Sequence, residues 1–407
     1  MENREVLLNI LNSFIHPDIP LPDLSSVTAE DWMDILKVSI EQAIFPIVYE
    51  QARNQDGFKE LPEEYKKVFR VKTRNIVVVQ TMKTDFFLSL YNNILESKIK
   101  PLVVKGVVLR NIYPIPDYRM SSDEDVLIDK KDFKAVDEFL QANGFKRPEI
   151  ADPENEHEIS YVDSKMGMVI ELHLTLFPES SEAYGHLNRE FPAVHDRAVE
   201  ELINGKKVYT LNPTQHMLYL ICHSVKHFIH SGFGIRQLCD MVLFAERYGD
   251  LIDWNELIES TKKQHIYVFF MNLLCAGEKY LGFSWEKAKI KKPKMKFDPE
   301  NIINDMFEGG VFGKNDAARV HSSNMTIEAV STGDSKKVSY KTFFPGIKYI
   351  EDRYSYVKKH KWLLPVAWIQ RIVSYIFSMK TSGVKKTMEI GNRRIELLKK
   401  YDLVNKK

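Results

Sequence analysis

Apolar residues recur at helical spacing over most of the chain, and the exception is a β-rich block between residues 99 and 210. Residues 1–98 and the segments after Pro213 repeat apolar positions every three or four residues, which is typical of amphipathic helices. In the block between them, PLVVK (101–105) and DVLID (125–129) are short apolar runs, which predict strands. The pattern therefore predicts a mixed α+β protein in which an α/β block lies between helical regions.

Changes in this pattern divide the chain into five predicted parts. They are an N-terminal helical region at 1–98, an α/β core at 99–210, a helical domain at 211–288, a lysine-rich and then irregular linker at 289–345, and C-terminal helices at 346–407. The last helix, predicted at 384–400, is highly charged, which indicates an exposed position.

The order of elements inside the core is informative. PLVVK is followed by Gly106 and by VVLRNIY, so a strand, a glycine turn and a short helix follow one another. KKDFKAVDEFLQANGF (130–145) predicts an amphipathic helix that ends at Asn143 and Gly144. HEISYVDSKMGMVIELHLTLF (157–177) predicts a hairpin whose turn is DSKMG.

The charge balance argues against one class of binding partner. Fifty-seven basic and fifty-six acidic residues give a net charge of +1, so no overall field attracts long nucleic acid, which is not an expected partner. The three cysteines lack the C-x-x-C spacing of a zinc ribbon, and their odd number argues against a disulfide framework. Together with an N-terminus that does not resemble a signal peptide, this predicts a cytoplasmic protein.

The most apolar stretch, WLLPVAWIQRIVSYIFSM (362–379), raises the question of a membrane. Arg371 in its middle and Pro365 near its start argue against a transmembrane span. We expect a helix buried against its own protein. The alternative is a peripheral membrane contact, which the lysines just before it, Lys358, Lys359 and Lys361, would favour.

Candidate chemistry begins in RMSSDEDVLID (119–129). In a strand, side chains alternate between faces, so Asp123 and Asp125 point one way and Glu124 the other. Two carboxylates on one face could bind the same Mg²⁺ ion, which prefers oxygen ligands. Glu171, in the apolar run VIELH, is the candidate for a third carboxylate, and His173 shares its face.

Two other groups of residues leave alternatives open. D-x-D is a common pair, and Asp123 and Asp125 could instead belong to an acidic turn, with Asp129 capping the helix that begins near Lys131. His223, His227 and His230 share a helix face. We favour structural or substrate-contacting histidines over a metal site, because Lys226 would disfavour a cation there.

Asp240, in the following predicted helix, could orient one of these histidines. We slightly favour the alternative that it belongs to the polar side of an amphipathic helix.

Several motifs together resemble a nucleotidyltransferase family within the DNA polymerase β-like superfamily. They are Lys105-Gly106, R-x-S-S-D-x-D-V-L-I at 119–128, I-E-L-H at 170–173, HSVKHFIHSGFGIRQLCDMV at 223–242 and FFPGIKYIEDRYSYVKKHKWLLPVAWIQR at 343–371. The resemblance implies a mixed sheet flanked by helices, with Mg²⁺ bound by Asp123, Asp125 and Glu171. It also implies that Gly106, Lys105, Arg119 and Ser122 lie near the phosphates of a nucleoside triphosphate. For His173, we favour a hydrogen bond to its neighbour Glu171, and next a contact with the nucleotide, over a metal ligand.

The function implied is a Mg²⁺-dependent nucleotidyltransferase. It would move a nucleoside monophosphate from an NTP to an acceptor and release pyrophosphate, with Glu171 as a cation ligand or as the base. The acceptor would be a small molecule, a sugar derivative or a protein. The alternative is a catalytically inactive protein that keeps the fold and binds nucleotides or partners.

Overall fold

A computed structural model describes residues 2–150, 152–230, 232–310, 317–332, 346–347, 350, 354, 356–379 and 384–404. Its described residues form one seven-stranded mixed sheet with helices packed on both faces, which confirms the predicted α+β class. The division of the chain into five parts stays a prediction.

The sheet is built from short strands. They are β1 (Leu102–Val103), β2 (Asp123–Leu127), β3 (Phe145–Lys146), β4 (Glu158–Asp163), β5 (Val169–His173), β6 (Val199–Ile203) and β7 (Lys206–Thr210). Their order across the sheet is β3-β4-β5-β2-β1-β7-β6. The pairs β2 with β5 and β1 with β7 are parallel, and the other neighbours are antiparallel. The predicted hairpin at 157–177 is confirmed as β4 and β5.

Helices precede and surround this sheet. Before it come α1 (Asn3–Ile15), α2 (Ala29–Glu41), α3 (Phe45–Ala52), α4 (Asp56–Lys59) and α5 (Glu63–Glu96). Within the sheet region lie α6 (Val107–Arg110) and α7 (Phe133–Ala142), and after it come α8 (Pro213–His230), α9 (Ile235–Tyr248), α10 (Trp254–Lys263) and α11 (Tyr267–Leu281). The predicted end of α7 is confirmed, since Asn143 follows its last residue and Gly144 has a φ of +90°.

The C-terminal part departs from the sequence prediction. It contains α12 (Glu300–Gly309), α13 (Ala317–Thr332), α14 (Tyr356–Lys359), α15 (Leu364–Met379) and α16 (Val384–Lys400). The predicted irregular linker at 289–345 is therefore wrong at α12 and α13, whereas its residues 311–316 and 333–345 lie outside the described residues.

The prediction that the charged helix α16 is exposed is wrong for one of its faces. Arg394 and Leu398 are buried there, and Arg394 Nη2 donates to the backbone oxygen of Phe228 at 2.7 Å. The high charge of the helix did not predict this burial, because the buried Arg394 donates hydrogen bonds to backbone oxygens at the end of α8.

At the positions whose exposure is described, the apolar stretch at 362–379 is exposed on one side, whereas Ala367 is buried against Ile350 and Val357. Trp362 is 76% exposed and Ile369 is 61% exposed. A contact with a membrane surface stays a prediction. Within the described residues, each helix is either too short or too polar to cross a bilayer.

The two faces of the sheet have different chemistry because side chains alternate along each strand. Val126, Ile170 and Leu172 point to one side, where they pack in a core with Phe87 of α5 and Leu140 of α7. The intervening residues of β2 and β5 point to the other side, towards α8. This polar side carries the predicted site.

Candidate active site

One cavity of about 600 Å³ lies between the polar side of the sheet and the helices α8 and α9. All the residues that the sequence predicts for the site line it: Lys105, Gly106, Arg119, Ser122, Asp123, Asp125, Glu171 and His173. The fold therefore brings the predicted residues together, although their roles remain predictions.

The register of two parallel strands positions the carboxylates. Asp125 of β2 is the Cα partner of Glu171 of β5, and Leu127 is the partner of His173. Ligand atoms of Asp125, Glu171 and His173 all lie within 4.8 Å of one another. Since β2 begins at Asp123, the acidic-turn interpretation is wrong for both aspartates of the D-x-D pair.

Asp123 lies on the same cavity wall but outside this close group among the described residues. It is half-buried, and the Ser122 hydroxyl donates to its Oδ2 at 3.1 Å. Asp129, at the other end of the stretch, accepts the backbone N–H of Lys131 at 3.1 Å, which confirms its predicted capping role.

Asp125 is buried and bound by two cationic or hydrogen-bonding partners. Lys105 Nζ lies 2.7 Å from its Oδ1, and His173 Nε2 donates to the same oxygen at 3.2 Å. Burial raises the pKa of Asp125, but Lys105 and His173 outweigh it, so the pKa lies below its ordinary value. The carboxylate is therefore ionised at neutral pH.

Glu171 has the opposite electrostatics. Burial and then the negative charges of Asp125, Glu158 and Asp123 raise the pKa of Glu171 to about 8. Two neighbouring carboxylates with pKa values pushed apart are a common arrangement in acid–base sites. Glu171 can therefore exchange a proton near neutral pH.

Lys105 connects the sheet to α8. Besides Asp125 it contacts His223, whose Nε2 lies 3.0 Å from Nζ, and since an ammonium only donates, this Nε2 is the acceptor. His227 Nε2 lies 3.2 Å from the same atom, so it carries the proton of that contact. A chain of hydrogen bonds thus runs from α8 through Lys105 to Asp125.

Glu124 points to the side opposite the aspartates, as strand alternation predicts. Its carboxylate accepts the backbone N–H of Val107 at 2.7 Å and binds the guanidinium of buried Arg110. Gly106 has a φ of +53°, and a Cβ there would lie 1.8 Å from Glu124 Oε2. Glu124 thus ties β2 to the start of α6, and Gly106 makes this close approach possible.

Comparison with known proteins identifies the family. The profile of a family described as "Uncharacterised nucleotidyltransferase" matches residues 28–282, which is more than half of the chain. The chain belongs to this nucleotidyltransferase family. The match includes every predicted site residue, whereas the resemblance at 343–371 lies beyond it and partly outside the described residues.

One solved structure is similar to part of this nucleotidyltransferase family member. It is an antigenic nucleotidyltransferase-like protein from Paracoccidioides brasiliensis, with 14% sequence identity and a TM-score of 0.32. The similarity covers 51% of this chain and 93% of that one. A comparison with curated proteins gives no match.

Arg119, which lines the cavity, is held by a residue that the sequence analysis interpreted differently. Its Nε and Nη2 donate to the two carboxylate oxygens of Asp240 at 2.6 and 2.8 Å, and Tyr113 donates to Asp240 at 2.7 Å. All three side chains are buried. Asp240 therefore neither orients a histidine nor lies on an exposed polar side, and both interpretations are wrong.

Three histidines of α8, His223, His227 and His230, line the cavity, and burial is the main cause that lowers the pKa of each. The pKa of His227 falls to about 3 and that of His230 to about 4, with added effects of Lys105 and Lys226 for His227 and of Lys226 for His230. Neutral imidazoles can donate and accept hydrogen bonds. Tyr184 Oη lies 2.7 Å from His230 Nε2 on the same wall.

Two features of the cavity and sheet escaped the sequence analysis. Glu158 lines the cavity, where its Oε2 lies 3.6 Å from His173 Nδ1. The hairpin of β6 and β7 turns at Asn204 and Gly205, both with positive φ. The Asn-Gly pair was a usable signal for this hairpin, whereas the position of Glu158 depends on the pairing of β4 with β5.

Proposed function

We propose that this protein is a Mg²⁺-dependent nucleotidyltransferase that transfers a nucleoside monophosphate from an NTP to an acceptor. Membership of a nucleotidyltransferase family supports the reaction class. The observation that carries the proposal is the convergence of Asp125 and Glu171, from neighbouring parallel strands, in a cavity that also contains Asp123 and Lys105.

The residues of the cavity suit a hard divalent cation. Asp123, Asp125 and Glu171 offer carboxylate oxygens, which Mg²⁺ prefers. The raised pKa of Glu171 reflects burial and then negative charge that a cation would offset. His173 Nε2 donates a hydrogen bond to Asp125. This nitrogen therefore orients the carboxylate and has no lone pair with which to bind the cation. A bound Mg²⁺ would neutralise charge on the phosphoryl oxygens.

The proposed reaction begins with attack of an acceptor oxygen on the α-phosphorus of the NTP. A bond forms between these two atoms, the bond from the α-phosphorus to the oxygen that bridges to the β-phosphate breaks, and pyrophosphate leaves with that electron pair. Glu171 is either the base that takes the acceptor's proton or the third cation ligand. Its pKa of about 8 allows the carboxylate to take up a proton near neutral pH.

We assign the phosphate contacts to Lys105 and Ser122. Lys105 reaches the cavity from the end of β1, and its ammonium can exchange Asp125 for a phosphate oxygen. Arg119, by contrast, is already held by Asp240 through two nitrogens, so we assign it to positioning the segment that leads into β2.

A catalytically inactive nucleotide-binding or interaction protein is the second candidate, and two contacts favour it. Lys105 neutralises Asp125, where a cation would bind. Glu124 takes the Val107 N–H at the start of α6, where the family resemblance predicts phosphate contacts. Both bonds use groups that catalysis of the proposed kind would need.

Pyrophosphate release tests the proposed function. The protein is incubated with ATP, GTP, CTP or UTP, with Mg²⁺ or Mn²⁺, and with panels of sugar derivatives, other small molecules and proteins as acceptors. We expect cation-dependent release that Asp125→Asn lowers by about a hundredfold or more. Asp129→Asn, in the same acidic stretch but at the helix cap, is the matched control and should retain activity.

Isothermal titration of the same nucleotides separates the two candidates. Active protein should bind an NTP more tightly with Mg²⁺ than without it, and Asp125→Asn should remove this difference. Cation-independent binding that Asp125→Asn leaves unchanged, with no pyrophosphate release, would refute the enzymatic proposal and support the inactive protein.

A further inference from the structure

The long helix α5 packs one face against the described part of the protein and exposes a largely apolar face on its other side. Phe69, Thr73, Gln80 and Thr84 are buried on the inner face. The other side of the helix exposes large apolar side chains, and their exposed fractions are 58% for Val68, 37% for Val71, 50% for Val78 and 52% for Met82. An exposed apolar face on a surface helix indicates an interaction site.

The exposed positions follow a heptad repeat. Val68, Val71, Asn75, Val78 and Met82, here named the α5 seam, are spaced by three, four, three and four residues. This is the a/d spacing of a coiled coil, and it extends over about 21 Å of helix. The buried Thr73 and Gln80 fall at f positions, directly opposite the seam. The seam is therefore oriented away from the protein.

Asn75 gives the α5 seam a polar centre. It is exposed and occupies an a position between Val71 and Val78. An asparagine at one a position pairs across a helix interface and fixes its register at some loss of stability. In a bilayer surface the same side chain would lose water without gaining such a partner. Asn75 thus favours a helical partner over lipid.

The charges that α5 itself places beside the seam are all of one sign, whereas Asp117, from the segment before β2, accepts a hydrogen bond from Thr81 near the C-terminal end of the seam. Lys67 and Arg74 occupy g positions and Lys72 an e position, and residues 65–84 contain no aspartate or glutamate. Lys67 and Arg74 are exposed, and Lys72 is half-buried with its Nζ 5.8 Å from the ring centre of Phe45. Positions e and g set partner choice through interhelical charge pairs.

We infer that the α5 seam binds an amphipathic helix of another protein whose apolar seam is flanked by glutamate and aspartate. Acidic residues at the partner's e and g positions would pair with Lys67, Lys72 and Arg74. A second copy of this chain fits poorly, because its own basic flanks would face these three in either helix orientation. The inference does not depend on the proposed catalytic function.

Binding of two designed helical peptides to the full-length protein tests this inference. Both are 21-residue, fluorescently labelled peptides with leucine at a and d and one asparagine at a central a position. One carries glutamate and the other lysine at every e and g position. Fluorescence polarisation should show at least tenfold tighter binding of the glutamate peptide, and added salt should weaken it.

Charge reversal makes the test specific to the seam. The double variant Lys67→Glu/Arg74→Glu should reverse the preference, so that the lysine peptide binds more tightly. Val78→Asp should abolish binding of both peptides, and Lys291→Glu, at an exposed lysine outside α5, should leave the preference unchanged. Circular dichroism confirms that each variant is folded, which we expect because the substituted side chains are exposed.

Three results would overturn the inference. The first is absence of peptide binding, or equal binding of the two peptides. The second is a dimer in analytical ultracentrifugation that Val78→Asp dissociates, since the seam would then bind a second copy. The third is binding to phosphatidylserine-containing vesicles that Val78→Asp abolishes, with no discrimination between the peptides.

Discussion

Lys105 Nζ lies 2.7 Å from Asp125 Oδ1 and 3.0 Å from His223 Nε2, so the ammonium joins the carboxylate of β2 to the helix α8. Burial lowers the pKa of Lys105, but Asp125, Tyr219 and Asp123 together raise it by more, so the side chain stays charged. Under the proposed function, a divalent cation that binds Asp125 therefore competes with Lys105. Nucleotide would assist the exchange, because its phosphates offer the displaced ammonium a new partner.

We expect Lys105→Met to bind Mn²⁺ about tenfold more tightly than the wild type in the absence of nucleotide. The variant removes the competing positive charge from Asp125 but also the proposed phosphate contact, so pyrophosphate release should fall. Electron paramagnetic resonance of free Mn²⁺ measures the affinity directly. Lys226→Met, at a lysine of α8 that lines the same cavity, is the control. Unchanged or weaker Mn²⁺ binding by Lys105→Met would contradict the competition.

The buried pair of Arg119 and Asp240 leads to a prediction about stability. Asp240→Asn leaves the Arg119 charge buried with a weaker partner, and breaking a buried pair costs about 3 to 5 kcal/mol of unfolding free energy. Glu256→Gln breaks the exposed pair with Arg197 and should cost less than about 1 kcal/mol. Urea unfolding of the two variants measures the difference. Equal losses would show that Asp240 is not a structural anchor.

The parts of the site that follow from local periodicity could be predicted from the sequence. Alternation along β2 places Asp123 and Asp125 on one face and Glu124 on the other, and the same rule places Glu171 beside His173 on β5. These predictions succeeded because the period of a strand is two whatever surrounds it. The sheet needed only to pair β2 with β5 to bring the two sets together.

The parts that depend on distant partners could not be predicted in this way. Arg119 and Asp240 are separated by 121 positions, and Lys105 and His223 by 118. No local pattern marks such a pair, so the sequence alone predicts a phosphate contact for Arg119 and the polar side of a helix for Asp240. Likewise Glu124 resembles the other acids of the stretch, although in the fold it pairs with Arg110 and accepts the Val107 N–H.

Gly106 provides a test of the contact between β2 and α6. A Cβ added at Gly106 would lie 1.8 Å from Glu124 Oε2. In addition, the backbone φ of Gly106 is +53°, which is unfavourable for other residues. Gly205 has a φ of +74° with nothing within 4 Å of an added Cβ. Gly205→Ala should therefore cost about 1 to 2 kcal/mol from backbone strain alone, and Gly106→Ala should cost more. Thermal or urea unfolding compares them.

A double variant separates the two causes at Gly106. If the clash with Glu124 contributes, Gly106→Ala should destabilise a Glu124→Ala protein less than it destabilises the wild type, since the colliding carboxylate is absent. An equal loss in both backgrounds would attribute the whole effect to backbone strain.

His216 of α8 predicts how stability depends on pH. Burial lowers the pKa of His216 to about 4 from its ordinary value of 6.5, although its Nε2 donates to the Val104 backbone oxygen at 2.8 Å. Since the folded-state pKa lies below the unfolded one, the unfolded state binds more protons between these values. The contribution of neutral His216 to the free energy of unfolding is therefore fully present above pH 6.5 and is lost as the pH falls towards 4.

For this one group, we expect the unfolding free energy to fall by about 2 kcal/mol between pH 7 and pH 5. Other histidines of α8, such as His227 and His230, have lowered pKa values too and act in the same direction, so the wild-type loss is a sum. His216→Gln keeps a donor for the Val104 oxygen but does not titrate. Urea unfolding at both pH values should therefore show a pH dependence that is smaller by about 2 kcal/mol in the variant. An identical pH dependence in the two proteins would mean that His216 does not resist protonation in the folded state.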